Sequence, residues 1–144
     1  HSGPMPATDV SEVVVRRASG ADIERMAAIC AAAFGEEPDV SRAFMETSMI
    51  SVNRTGYVGL VDGEMLAICF VTEKEETRSL NTLAVHPGKQ GKGYGKKFLL
   101  HVMRMLPDDD KCLELEVNSM NRPAIALYRR LGFEIVSDIG YHEL

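Results

Sequence analysis

A stretch rich in glycine and lysine, residues 83–97, has the residue types and spacing that best fit a chemical role. Its apolar beginning stops at Pro87, and four glycines and four lysines follow before an amphipathic segment begins. Between residues 77 and 107 the chain has six Lys or Arg residues and no Asp or Glu, although its net charge is −5. Glycines let backbone N–H groups approach a ligand closely, and the start of a helix carries partial positive charge. The stretch therefore predicts a site for a phosphate-bearing ligand.

The spacing of these glycines excludes two common nucleotide motifs. A P-loop has the form G-x-x-x-x-G-K-[ST], and a tyrosine stands here where the lysine belongs. A Rossmann fingerprint, G-x-G-x-x-G, begins at Gly91 and Gly93 but ends on Lys96 instead of a glycine. The sequence Gln90-x-x-Gly93-x-Gly95, directly after a predicted strand, instead resembles the Q/R-x-x-G-x-G/A signature of the GNAT N-acetyltransferases.

A second stretch, residues 115–133, resembles the other conserved region of the same family. There a strand ends in a polar turn, an asparagine leads into a helix, and the helix closes on Tyr-x-x-x-Gly-Phe. Here the asparagine is Asn121, the tyrosine is Tyr128, and the closing pair is Gly132-Phe133. The resemblance covers about residues 11–139, and its motifs are nearest to the branch that acetylates ribosomal-protein alanine N-termini.

This resemblance implies acetyl coenzyme A as the phosphate-bearing ligand, and it implies no metal ion. In the family, two parallel strands separate at their carboxyl ends, and the pantetheine arm of the coenzyme enters between them. The backbone of Leu83, Ala84 and Val85 would pair with the arm, and an N–H near Val85 would polarise the thioester carbonyl. Asn121 is implied to bond the coenzyme. The residues implied to bind its pyrophosphate are Gln90, Gly91, Lys92, Gly93, Tyr94, Gly95 and Lys96. The competing interpretation of these glycines is an ordinary strand-to-helix turn.

Tyr128 and Glu116 are the candidate catalytic residues. A tyrosine is protonated at neutral pH and can donate its proton to the departing thiolate, which is the role that the resemblance implies for Tyr128. Glu116 precedes it by twelve residues and matches the position of the general base in the ribosomal branch. Glu114 alternates onto the same strand face and is a second candidate base, as is a water relay. The alternatives are that Tyr128 packs against the sheet and that the carboxylates are solvated, and we expect His86 to be exposed.

The composition limits the class of protein. The chain has 144 residues, 45% of them hydrophobic, and no apolar run approaches the roughly 18 residues of a membrane span. We therefore expect one globular domain over residues 5–144, with residues 1–4 resembling a remnant of an expression tag. Three buried-looking cysteines, Cys30, Cys69 and Cys112, favour a reducing, cytoplasmic location over a disulfide framework. The acidic balance argues against nucleic acid as a partner, and no membrane partner is expected.

Patterns of apolar residues predict the elements that hold these sites. Strands are predicted at residues 12–17, 56–61, 65–73, 79–85, 112–117 and 133–138, with a hairpin turn at residues 62–63. Helices are predicted at residues 23–34 (N-capped by Ser19 and stopped by Gly35), 40–50, 98–106 and 123–131. The helical connection after residues 79–85 implies a parallel crossover, whereas the shorter links imply antiparallel pairs. The predicted fold class is α/β (α+β): a single GNAT-type domain whose mixed, mostly antiparallel sheet has helices on both faces and a central parallel pair splayed around acetyl-CoA.

The C-terminus departs from the family pattern. Only residues 139–144 remain to supply the strand that usually follows residues 133–138. Either a short strand completes the sheet or another subunit does so. Because an uncovered sheet edge promotes association, we expect a homodimer.

The predicted function is acetyl-CoA-dependent transfer of an acetyl group to a primary amine, by direct attack in a ternary complex. The alternative is a non-catalytic acyl-CoA-binding or sensor domain of the same fold, and a nucleotide-binding domain ranks third because neither nucleotide motif is complete. Residues 21–54, which are expected to select the acceptor, carry no motif that identifies it. The combination of Glu116 with Tyr128 favours a protein N-terminal amine over a small-molecule amine.

Overall fold

The computed structural model describes residues 12–117, 122–132, 134–135 and 141–143. The strands are β1 (Val14–Arg17), β2 (Arg54–Val61), β3 (Glu64–Glu73), β4 (Thr77–Val85), β5 (Cys112–Glu116), β6 (Glu134–Ile135) and β7 (Tyr141–Glu143). The helices are α1 (Ile23–Phe34), α2 (Pro38–Met49), α3 (Tyr94–Met105) and α4 (Arg122–Arg130). Short 3₁₀ turns precede α1 at Gly20–Asp22 and follow β4 at Pro87–Lys89.

The described strands form one mixed sheet in the order β1-β2-β3-β4-β5-β7-β6. Among them, only β4 and β5 run parallel, with Thr77 opposite Cys112 and Leu80 opposite Leu115. Every other described pair is antiparallel. The connection between the two parallel strands contains α3, which is the crossover that the length of this segment predicted.

Two hydrophobic clusters cover the two faces of the sheet. Residues of α3 and α4 pack on one face with Tyr57, Leu80 and Leu115, and we call this the α3/α4 face. Residues of α1 and α2 pack on the other face with Val58 and Phe70, which we call the α1/α2 face. Adjacent residues such as Tyr57 and Val58 alternate between the faces, as the pleat of a strand requires. The predicted fold class is therefore confirmed.

Local signals in the sequence placed several element boundaries correctly. The turn between β2 and β3 falls at residues 62–63, which have φ angles of 52° and 82°, and α1 ends at Gly35 with a φ of 69°. Ser19 was wrongly assigned as the N-cap of α1, because it caps the preceding 3₁₀ turn instead. Its backbone N–H donates to Asp22 Oδ2 at 2.7 Å, and Arg16 of β1 donates to the same carboxylate. This one carboxylate joins the start of α1 to the sheet.

The C-terminal residues supply the strand that the family pattern requires. β7 pairs with β5, placing Tyr141 opposite Glu116, and β6 pairs on the outer side of β7. The edge of β5 is therefore covered within the chain, and the short-strand alternative is confirmed. The homodimer stays a prediction, now without the support of an open β5 edge.

The cysteines differ from one another in exposure. Cys30 and Cys69 are buried, as expected, whereas Cys112 is exposed at the first position of β5. The apolar neighbours of Cys112 along the chain are a poor guide here, because successive side chains of a strand point to opposite faces. Across the described ranges, no helix is long and apolar enough to cross a membrane.

Candidate active site

The parallel pair opens toward its carboxyl end. Pairing between the strands ends at Leu80 and Leu115, while β4 continues for five more residues to Val85. The register between β3 and β4 shifts within this extension, and Thr82 there has a φ of 54°. Such a β-bulge bends its strand and increases the local twist. The end of β4 thus continues beyond its pairing with β5.

A cavity of about 610 Å³ lies at this end of β4. It is enclosed by the strand end, the glycine-rich loop, α4 and the last turn of α1. The lining residues that the sequence predicted to bind coenzyme are Leu83, Ala84, Val85, Gln90, Gly91, Gly93, Gly95 and Lys96. The lining residues that it did not predict are Ala33, Phe34, Ala124, Ala126, Leu127 and Arg130. An ideal Cβ on Gly95 would lie 3.3 Å from Leu127 Cδ2 and 3.4 Å from Val85 Cγ2, so α3, α4 and β4 converge closely here.

The glycine-rich loop is shaped to receive an anion. Gly91 and Gly93 have φ angles of 78° and 88°, and an ideal Cβ on either would meet no atom within 4 Å. Gln90 Nε2 donates to the Val85 carbonyl oxygen at 3.0 Å, which fixes the loop to the end of β4. Gly93 is the N-cap of α3, and the first N–H groups of a helix have no partner within that helix. The loop and the helix start therefore offer backbone donors around open space.

Positive charge surrounds this space. Lys96 and Arg130 line the cavity, and none of the described lining residues is Asp or Glu. The positive end of the α3 dipole adds to their charge. Arg130 lies three residues after Leu127 and four after Ala126, so helical spacing was the signal that could have identified it. Phe34 carries no such signal, because only the packing of α1 brings it to the cavity.

Three predicted coenzyme-binding residues do not belong to the described cavity wall. Lys92 is exposed in the loop, and Tyr94 packs partly buried against the hydrophobic cluster of the α3/α4 face. Asn121 lies outside the described residues. Within the described part of the chain, no group of three or more His, Cys, Asp or Glu side chains could hold a metal ion.

Tyr128 lies in the core beside the cavity. Its side chain is 0% exposed and belongs to the cluster that contains Leu80 and Leu115. Leu127, its neighbour on α4, lines the cavity, whereas Tyr128 is not among the lining residues. Burial raises the pKa of the Tyr128 phenol well above its ordinary value, and the nearby Cys69 thiol raises it further. The hydroxyl is therefore protonated at neutral pH. The buried position of the side chain fits the alternative that Tyr128 packs against the sheet. Its role as proton donor stays a prediction.

Glu116 lies at the end of β5, next to the point where the parallel pairing stops. Its Oε2 accepts a 2.7 Å hydrogen bond from Ser79 Oγ, and Ser79 is fully buried on the neighbouring strand. Leu113 and Leu115 pack on the α3/α4 face, so Glu114 and Glu116 share the α1/α2 face, as alternation predicted. Glu116 is partly exposed, and one of its two carboxylate oxygens is bound by Ser79. His86 is exposed in the loop, as expected.

Fold and cavity together define an α/β protein that can hold a phosphate-bearing ligand at the divergent end of a parallel strand pair. A model of the acetyltransferase (GNAT) family matches residues 23–133. The chain therefore belongs to the GNAT acetyltransferase family, which confirms the resemblance inferred from its two motifs.

Known proteins resemble this chain in sequence or in fold. The uncharacterized protein ML0378 of Mycobacterium leprae (strain TN) is 30% identical over 132 residues, covering 88% of this chain but 36% of the relative's own length. The PaiA N-acetyltransferase of Thermoplasma acidophilum, solved in complex with coenzyme A, has a TM-score of 0.72 at 12% identity, covering 91% of this chain and 96% of that one. The ribosomal-protein-S18-alanine N-acetyltransferase of Escherichia coli has a TM-score of 0.70 at 23% identity, covering 90% of this chain and 88% of that one. At these identities the two structures show a shared fold.

Proposed function

We propose that this chain is an acetyl-CoA-dependent N-acetyltransferase, with residues 5–144 as its catalytic unit and a primary amine as its acceptor. The observation that carries the proposal is the cavity at the end of β4, because eight residues predicted from the sequence to bind the coenzyme line it. Membership of the acetyltransferase family supports acyl transfer. The amine acceptor and direct attack in a ternary complex are the steps that this proposal adds.

The loop and β4 would hold the acetyl donor. Backbone N–H groups at the start of α3, with Lys96 and Arg130, suit the pyrophosphate. Because β4 runs on to Val85 after its pairing with β5 has ended, its backbone can pair with the amides of the pantetheine arm. An N–H near Val85 would then stabilise negative charge that develops on the thioester oxygen.

The reaction forms a bond between the amine nitrogen and the acetyl carbon, and it breaks the bond between that carbon and the coenzyme sulfur. Glu116, fixed by Ser79, would take the proton that the amine loses, either directly or through a water molecule. Tyr128 would donate its proton to the departing thiolate and regain one from solvent. Its protonated state at neutral pH supports this role.

Thiol release from acetyl-CoA in the presence of an amine panel tests the proposed activity. The panel contains peptide N-termini, lysine, polyamines and aminoglycosides, and calorimetry measures coenzyme A binding in parallel. We expect turnover with at least one amine. Tight binding of coenzyme A without turnover on any of them would instead favour the sensor domain.

Substitutions test the two catalytic assignments. Glu116→Gln and Tyr128→Phe should each lower kcat by about 10²- to 10⁴-fold and leave the Kd of coenzyme A unchanged. Glu114→Gln is the matched control, because Glu114 lies two residues earlier on the same strand face. A larger loss in Glu114→Gln than in Glu116→Gln would move the base to Glu114. An unchanged kcat in Tyr128→Phe would leave this tyrosine with a packing role.

We also propose a cytoplasmic location and a homodimer. All three cysteines are free thiols and two are buried, which suits a reducing compartment. β6 forms an edge of the described sheet and is the strand at which a second subunit could add. Light scattering across a range of concentrations tests the dimer, which a monomer at every concentration would exclude.

A further inference from the structure

Arg54 differs from the other described arginines in its surroundings. Among the described residues, Arg54 and Arg78 are the arginines that are not exposed. Arg78 is held by two carboxylates, at 2.7 and 2.5 Å. Arg54 has neutral partners within the described part of the chain: its Nε donates to Thr72 Oγ1 and its Nη1 to Ser48 Oγ, both at 3.1 Å.

These two bonds orient the Arg54 guanidinium and leave it able to bind more. A guanidinium has five N–H donors, and the bonds to Thr72 and Ser48 use two of them. Ser48 is 1% exposed and belongs to α2, so this bond connects the guanidinium to a buried position of the helix. Because the partners of Arg54 among the described residues are neutral hydroxyl groups, this partly buried positive charge can gain a charge-assisted hydrogen bond from an anion. The planar fork of the remaining donors matches a carboxylate.

The strand register places Arg54 in a polar row on the α1/α2 face. Arg54 is opposite Thr72, Thr72 is opposite Ser79, and Ser79 is opposite Glu114, so the row crosses four neighbouring strands. Strands lie about 4.8 Å apart, and the row is therefore about 14 Å long between backbones. Positive charge stands at its β2 end, and carboxylates stand at its β5 end.

Asn81 connects this row to the place where the parallel strands separate. Asn81 follows Leu80, the last residue of β4 that pairs with β5. Its Nδ2 donates to Thr72 Oγ1 at 3.4 Å, the same oxygen that Arg54 Nε contacts at 3.1 Å. Arg54 Nε and Asn81 Nδ2 are thus no more than about 6.5 Å apart, since the two contacts meet at one atom. The guanidinium therefore lies close to Asn81, the first residue of β4 beyond the parallel pairing, on the face that carries Glu116.

We infer that the acceptor is a peptide-like amine bearing a carboxylate, which binds Arg54 while the amine points to Glu116. The inference rests on the proposed function, because it defines the acceptor of that reaction. The binding groups for the two ends are separated by two to three strand spacings, on the order of 10 Å. A short peptide fits this spacing better than a free α-amino acid, whose amine and carboxylate share one carbon. The carboxylate can be a C-terminus or the side chain of an Asp or Glu near the peptide N-terminus.

Matched peptide pairs test the inference in the full chain. The first arm compares tripeptides that have a free C-terminus with the same tripeptides as carboxamides. The second arm uses amidated peptides and compares those with Asp or Glu at the second or third position with those that have Asn or Gln there. The wild-type protein should have a kcat/KM about tenfold or more higher for the carboxylate member in one of the arms, and that arm identifies the source. Arg54→Gln should lower kcat/KM for carboxylate members by about 10- to 100-fold, mainly through KM, and by less than about threefold for their partners.

Two further variants control for folding. Arg42→Gln changes an exposed arginine of α2 that pairs with Glu24, and it should leave both members of every pair unaffected. Arg54→Lys keeps the charge but not the fork, so it should lose part of the preference for a carboxylate. It should melt at a temperature similar to that of Arg54→Gln, because neither variant can make both bonds to Thr72 and Ser48.

An equilibrium measurement separates this inference from the proposed function. N-acetylated tripeptides and their carboxamides are titrated into the coenzyme A complex by calorimetry, which requires no turnover. If no amine of the panel is acetylated, the proposed function fails, and a carboxylate preference in binding that disappears in Arg54→Gln still supports the site. If other amines are acetylated but no peptide is, the proposed function stands and the inference fails. The inference is overturned if the wild-type protein binds and acetylates both members of each pair equally. It is also overturned if Arg54→Gln weakens both members equally, which is the result expected of an arginine that only ties α2 to the sheet.

Discussion

Gly93→Ala tests the proposed phosphate cradle, and Gly63→Ala is its matched control. The two glycines have φ angles of 88° and 82°, and an ideal Cβ on either would meet no atom within 4 Å. A left-handed conformation costs an L-residue about 1–2 kcal/mol, so both variants should lose a similar free energy of unfolding. Gly63 lies in the turn between β2 and β3, whereas Gly93 lines the cavity and caps α3.

Only Gly93→Ala should weaken coenzyme A binding. The open space around its Cβ is where the pyrophosphate would approach the backbone, and a methyl group there would displace it. Losing one charge-assisted hydrogen bond costs about 1.5–3 kcal/mol, which corresponds to a Kd higher by about 10- to 150-fold. Calorimetry with coenzyme A, alongside urea unfolding of both variants, measures the two effects separately. An unchanged affinity of Gly93→Ala for coenzyme A, or an equal loss of affinity in Gly63→Ala, would refute the assignment of the loop as the pyrophosphate site.

Three stability predictions follow from contacts away from the cavity. Gly59→Ala should destabilise the protein by about 1–3 kcal/mol in urea unfolding, because an ideal Cβ would lie 2.6 Å from Phe98 Cδ1. A variant as stable as the wild type would contradict the close packing of Phe98 on Gly59. Hydrogen bonds from Arg16 lower the pKa of Asp22 from 3.8 to about 2. Above pH 4 this pair therefore contributes up to about 2 kcal/mol to the free energy of unfolding, and the contribution is lost as the pH falls toward 2. Urea unfolding of Asp22→Asn between pH 4 and 2 should therefore show a flatter dependence on pH than the wild type, and identical slopes would exclude the pair as the cause. Arg78→Met should lower the free energy of unfolding by about 1–3 kcal/mol, because two partly solvated carboxylates lose their buried partner. The Kd for coenzyme A should not change, because Arg78 lies at the other end of β4 from the cavity.

Several features of this protein could be predicted from short stretches of sequence. The hairpin turn at residues 62–63, the end of α1 at Gly35 and the glycines of the loop depend on backbone conformations that few residue types tolerate. The parallel pair followed from the length of the helical connection, and the shared face of Glu114 and Glu116 followed from alternation along a strand. Such preferences act within a few residues of the chain, so reading the chain in order is enough to find them.

Tertiary structure decided the features that depend on distant segments. The burial of Tyr128, the entry of Phe34 into the cavity wall and the position of β7 between β5 and β6 all require elements far apart in the chain to meet. The surroundings of Arg54 are the clearest case. Its sequence neighbours do not show that its partners in the described part of the chain are two hydroxyl groups, one from α2 and one from β3. The sequence by itself thus determined the conformation of the glycine-rich loop and indicated the family, whereas packing decided which groups surround Arg54, because burial and charge pairing depend on the folded structure and not on any one segment.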